Sequence, residues 1–260
     1  MWRYLLADLH VHTVLSPCAE VEMIPPLIVR RARELGLELL AITDHHAADN
    51  VKAVAEAAAN TGLTVLPGME VQSREEVHLL CLFDTFSQVA TWQEHVFAAL
   101  PDQENDEAFF GAQFVVNADG SHRATLRRLL AVSTSLSVEE VVDGVLALDG
   151  IVLAAHVDRS SFSLIANLGF VPPGLRIAGM EISRYSDPTE TVRRWPQTAG
   201  YGLFVGGDAH RLAEMTARTM LKVTTPVVRE IALALGARDG RRVEILDRRQ
   251  AGRTLERDRF

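Results

Sequence analysis

Residues 7–14 read ADLHVHTV, and LSPCAE follows directly. Two histidines stand two apart behind the apolar run Leu5-Leu6-Ala7. In a strand, residues i and i+2 point to the same face, so His10 and His12 share a face with Asp8 in line. Similar clusters recur along the chain. ITDHH brings Asp44 and His45, LPGMEV brings Glu70, EVHLL brings His78, LAAHVDR brings His156, and GGDAH brings Asp208 and His210. Of nine histidines, six occupy such positions. One buried histidine is commonly a core residue. Six of them, with Glu70, Asp44 and Asp208, are hard to satisfy without an ion. Imidazoles and carboxylates without thiolates suit zinc, manganese or iron.

The elements that must position these residues alternate in type. YLLADLHVH reads as a strand, and PPLIVRRARELG as a helix with Pro25 and Pro26 at its start and Gly36 past its end. LELLAITDH is a second strand, NVKAVAEAAANTG a helix closed by Gly62, LTVLPGMEV a third strand and EVHLLCLF a fourth. SVEEVVDGVLALDG is a later helix, and GIVLAAHVD, IAGMEIS and YGLFVGGDAH are later strands. Near-continuous apolar strands alternating with helices predict a parallel sheet covered by helices. The histidines and carboxylates fall at strand C-termini, the face that carries the active site in α/β barrels. Residues 84–135 break this rhythm and read as an insert near that face, with a hairpin turning at Ala118-Asp119-Gly120. Residues 1–240 then form the barrel, and 241–260, with seven Arg against four acids, a solvated tail.

Composition bounds the function. The chain has 260 residues, 48% hydrophobic and 23% charged, with a net charge of −8. That suits one large globular domain and argues against non-specific duplex DNA binding, which runs on Lys and Arg. Cys18 and Cys81 have no zinc-ribbon or CxxC spacing and predict no disulfide framework. No apolar run reaches a membrane span, and no secretory leader is evident, so the expected compartment is the cytoplasm.

Taken together, DLHVHT, ITDHH, PGMEV, EVHLL, AAHVDR and GGDAH resemble the successive motifs of the PHP (polymerase and histidinol phosphatase) superfamily over residues 4–225. The resemblance implies a distorted (β/α)7 barrel holding two or three divalent metals at its strand C-termini. By position, His10, His12, Glu70 and Asp208 would hold the first metal. Glu70 would bridge to a second, completed by His78 and His156, and His45 and His210 would hold a third. Asp44 would orient a ligand. One motif departs from the family: the common HTxxSDG is HTVLSPCAE here, with Pro17 at the position of the Asp ligand. Glu20, a hard oxygen donor, or Cys18, nearer in sequence, would replace it.

Two adjacent metals suit phosphate ester hydrolysis, with a metal-bound hydroxide attacking phosphorus. Arg159, Arg184 and Arg211 are candidates for bidentate contact with the phosphate. His210 or His45 would protonate the leaving group. His46 would cover the mouth of the site, while His95 and His122 would be exposed. Gly68, Gly206 and Gly207 would permit close turns at strand ends. The expected partner is a small phosphate monoester, nucleotide or short oligonucleotide, with no membrane and no duplex DNA. The acidic run Asp102–Glu107 in the insert would repel a long polyanion. Two rivals stand beside this reading. One is an amidohydrolase-type C–N hydrolase, disfavoured because neither Lys52 nor Lys222 sits at a strand end. The other is a non-catalytic regulatory metal-binding protein.

Overall fold

From Leu5 to Val11 every residue of the first strand is buried, as a strand covered on both faces requires. The computed structural model describes residues 1–247. Its strands are β1 (Arg3–Val11), β2 (Leu39–Ile42), β3 (Thr64–Gln72), β4 (His78–Leu82), β5 (Phe114–Val116), β6 (His122–Thr125), β7 (Ile151–Ala154), β8 (Gly179–Ser183), β9 (Leu203–Gly206), β10 (Thr219–Val223) and β11 (Arg242–Ile245). Its helices are α1 (Pro25–Glu34), α2 (Val51–Ala57), α3 (Phe86–Ala99), α4 (Glu107–Phe110), α5 (Val138–Ala147), α6 (Leu164–Leu168), α7 (Pro188–Arg194) and α8 (Val228–Leu235).

One sheet carries nine strands in the order β11-β10-β1-β2-β3-β4-β7-β8-β9. Its ends approach each other and it curls into a nearly closed α/β barrel. The seam is sealed by a parallel bridge between Val11 and Ala209 and by Thr219, whose hydroxyl accepts from Val205 N (2.8 Å) and donates to Val205 O (2.9 Å). Six strands run with β1, while β4 and β10 run against their neighbours. The α/β barrel is as expected, but the parallel sheet suggested by the alternation carries two reversed strands. Alternating helices and apolar strands predict a barrel but carry no sign of strand direction.

Local signals set the helices. Pro25 and Pro26 open α1, which buries Ile28, Val29 and Ala32, and Gly36 ends it at a φ of 70°. Thr85 with Gln88, and Ser137 with Glu140, form capping boxes at α3 and α5. Asn50 precedes α2 but does not cap it. Its amide instead donates to Thr13 Oγ1 and Phe114 O (both 2.9 Å) and accepts from Val116 N (2.9 Å).

That amide ties down the β5–β6 hairpin, whose turn falls at Gly120 as expected, with a φ of 83°. The rest of the predicted insert differs. Because β4 is reversed, residue 84 leaves the barrel at the rim opposite the histidines. The chain returns along α3, which packs Val89, Trp92 and Val96 against the barrel. The first part of 84–135 is thus a barrel helix, and only the later part adds to the histidine-bearing rim.

The expected tail also starts later than Arg241. Arg242–Ile245 pair with β10, while residues 248–260 of that tail lie outside the described residues. Buried Glu230 of α8 clasps this end, accepting from Arg241 Nη2 (2.7 Å), Thr224 N (2.7 Å) and Thr224 Oγ1 (2.8 Å). The Arg241 hydrogen bonds outweigh burial and pull the Glu230 carboxyl down to about 2. A depressed carboxylate stabilises the fold above its unfolded value, near 4.3, and that contribution fades as pH falls toward 2. Glu230→Gln should lower Tm at neutral pH by roughly 2–4 °C. The gap to wild type should close between about pH 4.5 and 2. Equal melting at pH 7 would remove this clasp from the fold.

Candidate metal centre

Strand direction decides which end of each element meets the site. His10 is the penultimate residue of β1, with His12 just beyond. Asp44 and His45 follow β2, Glu70 lies near the end of β3, His156 follows β7, and Asp208 and His210 follow β9. His78 is the first residue of β4, level with Gln72 at the end of β3. The sequence expectation placed it at a strand C-terminus. It reaches the same rim only because β4 runs backwards. Ala209 N donates to His10 O (3.2 Å) and His12 N to Ala209 O (3.0 Å), which sets Asp208 beside the two histidines.

The side chains converge on Glu70, which is fully buried. Its Oε2 lies 3.4 Å from His10 Nε2, 3.3 Å from His12 Nε2 and 3.1 Å from His45 Nδ1. Its Oε1 lies 2.9 Å from His78 Nδ1 and 3.4 Å from His156 Nε2. Neither carboxylate oxygen has a hydrogen-bond partner. Asp208 Oδ1 lies 3.2 Å from His10 Nε2 and 3.3 Å from His12 Nε2, and those two ring nitrogens are 3.1 Å apart. Three groups have their ligand atoms within 4.8 Å of one another: His10, His12, Glu70 and Asp208; His45, Glu70 and His78; and His12, His45 and His210. His156 belongs to none of the three but lies against Glu70.

Outer contacts orient the rings. His10 Nδ1 donates to Glu181 Oε2 (2.8 Å), which leaves Nε2 facing the cluster. His12 Nδ1 donates to Ser16 Oγ (2.9 Å), which donates to Asp44 Oδ1 (2.7 Å). Asp44 therefore sits one hydroxyl behind the cluster. Gln72 Oε1 accepts from His78 Nε2 (3.2 Å). Asp8 pins the seam by accepting from Gly207 N (2.9 Å) and Thr216 N (2.8 Å). Glu181, Ser16 and Gln72 escaped the sequence reading. The available signal for Glu181 was an acid inside the apolar run of β8, GMEIS, parallel to Glu70 in LPGMEV.

The glycines serve close approach rather than turns. A Cβ on Gly206 would come within 2.0 Å of Glu181 Oε1, and one on Gly207 within 2.6 Å of Asp8 Oδ2. On Gly68 it would meet Leu82 Cδ2 at 2.8 Å. Backbone strain falls on site residues instead: His156 and Asp208 hold positive φ values of 28° and 42°.

The electrostatics describe a cage built for positive charge. Burial opposes charge on His10, yet Glu181, Glu70 and Asp208 outweigh it and hold its pKa well above the usual range. Burial also works against His12, but the carboxylates of Asp208 and Glu70 beside its ring lift it to about 9. Burial opposes ionisation of Glu70 and Asp208, but the surrounding histidines hold both well below ordinary carboxylates. Without a cation, protons on His10 and His12 must balance these anions. The convergent lone pairs, the unpartnered Glu70 oxygens and the mixed N/O donors fit divalent metal.

Other expected residues lie elsewhere or face elsewhere. Glu20 is half-exposed and paired with Arg211 (2.9 Å), so both point away from the cluster. Cys18 is open to solvent at one side and falls in none of the three groups. Crowding by the protein around it, then the charge of Glu70, pushes its thiol up to about 12. Arg159 Nη1 lies 2.5 Å from Asp208 Oδ2, at the edge of the cluster. Arg184 donates to Gly207 O (2.6 Å) and Glu214 Oε1 (2.9 Å), bracing the Asp208 loop instead of reaching inward. His46 is wholly buried and does not cover the mouth, whereas His95 and His122 are exposed. Lys52 lies on α2. Lys222 does lie at a strand end, that of β10, but level with Tyr4 at the opposite rim, so neither lysine joins the cluster.

Residues 8–130 match the family model of the PHP domain. Those 123 of the 260 residues carry a PHP domain. No curated protein matches the chain. Among solved structures, the lesion-specific endonuclease Q of Pyrococcus furiosus superposes with a TM-score of 0.66 at 19% identity, over 93% of this chain and 58% of that one. A second endonuclease Q structure, with a 27-mer duplex bearing an abasic lesion, gives a TM-score of 0.62 at 18% identity over 92% and 58%. A Bifidobacterium adolescentis protein named for metal-dependent phosphoesterase chemistry gives 0.53 at 20% identity over 96% and 94%. A Chromobacterium violaceum amidohydrolase with bound sulfate gives 0.58 at 20% identity over 94% and 99%. The chain thus spans little more than half the length of endonuclease Q. At these identities the likeness is one of fold. The expectation that duplex DNA is excluded finds no support here. No described helix is long and apolar enough to cross a membrane.

Proposed function

We propose that this PHP-domain protein is a metal-dependent phosphoesterase acting on a small phosphate ester, a nucleotide or a short oligonucleotide. One observation carries the proposal: a buried carboxylate, Glu70, with both oxygens unpartnered and a different set of histidines at each. That is the arrangement of a carboxylate bridging two cations. His10, His12 and Asp208 would complete one position, and His78, His156 and His45 the other. His12, His45 and His210 form a third, all-imidazole candidate, with no contribution from Glu20 or Cys18. Bound divalent ions would supply Lewis acidity toward phosphoryl oxygens and water.

The side chains supply the rest. Arg159, held at Asp208 with 40% of its side chain exposed, can turn its guanidinium to a phosphate oxygen. Burial pushes His210 down to about 4 and His45 well below the usual histidine range. Both are therefore neutral near pH 7, the form in which an imidazole ligates a metal. Absence of lysine from the cluster weighs against the amidohydrolase rival. Free Cys18 and Cys81 fit a reducing, cytoplasmic setting.

The test is a panel of phosphate monoesters, oligonucleotides and amides with added manganese or zinc. Hydrolysis of phosphate esters, lost with chelator and regained with metal, is the expected result, with at least two metal equivalents per chain. Turnover of amides alone, or under one equivalent of metal after supplementation, would overturn the proposal.

A further inference from the structure

The segment DRSSFS, residues 158–163, leaves β7 beside the cluster and carries a feature the metal chemistry does not use. Its ends are fixed. Asp158 accepts from Ser183 N (3.0 Å) and Ser183 Oγ (2.7 Å). Buried Ser163 caps α6 and donates to Arg159 O (2.9 Å). Between these anchors Phe162 sits at a φ of 56°, a left-handed backbone uncommon for an aromatic residue. Its carbonyl accepts from His78 N (3.0 Å), which holds the loop against the start of β4. Its ring stacks on the His78 imidazole, with centroids 5.0 Å apart and planes 24° from parallel. Yet 42% of Phe162 remains exposed.

A strained, solvent-facing phenyl beside a polar metal rim has a cost and no core to fill. We infer that Phe162 is a specificity-determining platform on which a planar heteroaromatic ring of the substrate stacks, so that the preferred phosphate ester carries a nucleobase. The inference rests on the phosphoesterase reading above. Arg159 and Phe162 stand three residues apart on one anchored loop, the first touching Asp208 and the second His78, with Glu70 between these two ligands. A phosphate at the cluster and a base on the phenyl would thus be read by a single segment. Aromatic side chains hold bases without sequence preference because every base has a π-face.

Binding can be separated from turnover with non-hydrolysable ligands. Calorimetry on the metal-loaded protein would compare the methylene-phosphonate analogues of a nucleoside 5′-monophosphate and of ribose 5-phosphate. Wild type should prefer the nucleoside analogue by about tenfold or more. Phe162→Ala and Phe162→Leu should bring the two affinities together, leaving the sugar phosphonate unchanged, and Phe162→Trp should keep the preference. A wild-type protein that binds the two alike, or binds neither at millimolar concentration, overturns the inference. So does a Phe162→Ala variant that keeps the preference or weakens both ligands equally, since the ring would then only prop His78. Should wild type hydrolyse no phosphate ester, the phosphoesterase reading fails, while the binding ratio still decides the role of Phe162.

Discussion

Glu70→Gln should cut hydrolysis by at least about a thousandfold while leaving the fold intact. The buried carboxylate is the shared neighbour of five imidazoles, His10, His12, His45, His78 and His156. A glutamine preserves shape but removes the charge that would lie between two cations, and turns one oxygen into a donor facing histidine lone pairs. Glu70 alone offers a separate oxygen to each of the first two positions, so this change should exceed that of any single histidine substitution. Metal content should fall by at least one equivalent per chain. The variant should still melt cooperatively, because glutamine fills the same buried volume as Glu70. Activity and metal content both at wild-type level would take Glu70 out of the centre.

Glu181→Gln should weaken metal binding by about 10–100-fold without touching a ligand. Glu181 is fully buried and holds His10 through Nδ1 at 2.8 Å, while its Oε2 also accepts from His156 N at 3.0 Å. One carboxylate thus orients two histidines on opposite sides of Glu70 and makes the His10 ring more basic. Both contacts fall on Oε2, so the glutamine carbonyl could keep them, but the charge would be lost. Gly206→Ala offers a second route to the same carboxylate, since its methyl would displace Glu181 Oε1. Competition with a graded series of chelators reads the affinity directly. Unchanged affinity in both variants would show that Glu181 serves packing alone.

The outer layer around these ligands was the least legible part of the chain. His10, His12, Asp44, Glu70 and Asp208 stand out because charged and imidazole groups interrupt apolar runs, which an interior tolerates only when they are paired. Glu181 interrupts an apolar run in the same way but has no histidine beside it in sequence. Its partner, His10, lies 171 positions away. Ser16 is an ordinary residue in sequence, and only the packing of β1 against β2 places it between His12 and Asp44. Glu20 and Cys18 were reasonable substitutes for the missing aspartate by proximity along the chain. The turn after Ser16 instead carries Glu20 outward to Arg211.

By itself, then, the sequence determined the α/β barrel class, the elements that carry the cluster and the donor chemistry of the centre. Those properties depend on side-chain type and on periodicity, both of which are local. Tertiary structure alone decided the reversal of β4 and β10, the return of 84–135 along α3 and the pairing of β11. It also decided the bracing role of Arg184 and the contact between Phe162 and His78. An apolar strand buries equally well in either direction, so its residues do not encode the direction. Which rim His78 reaches depends on the strands it pairs with, β3 and β7, from segments distant in the chain.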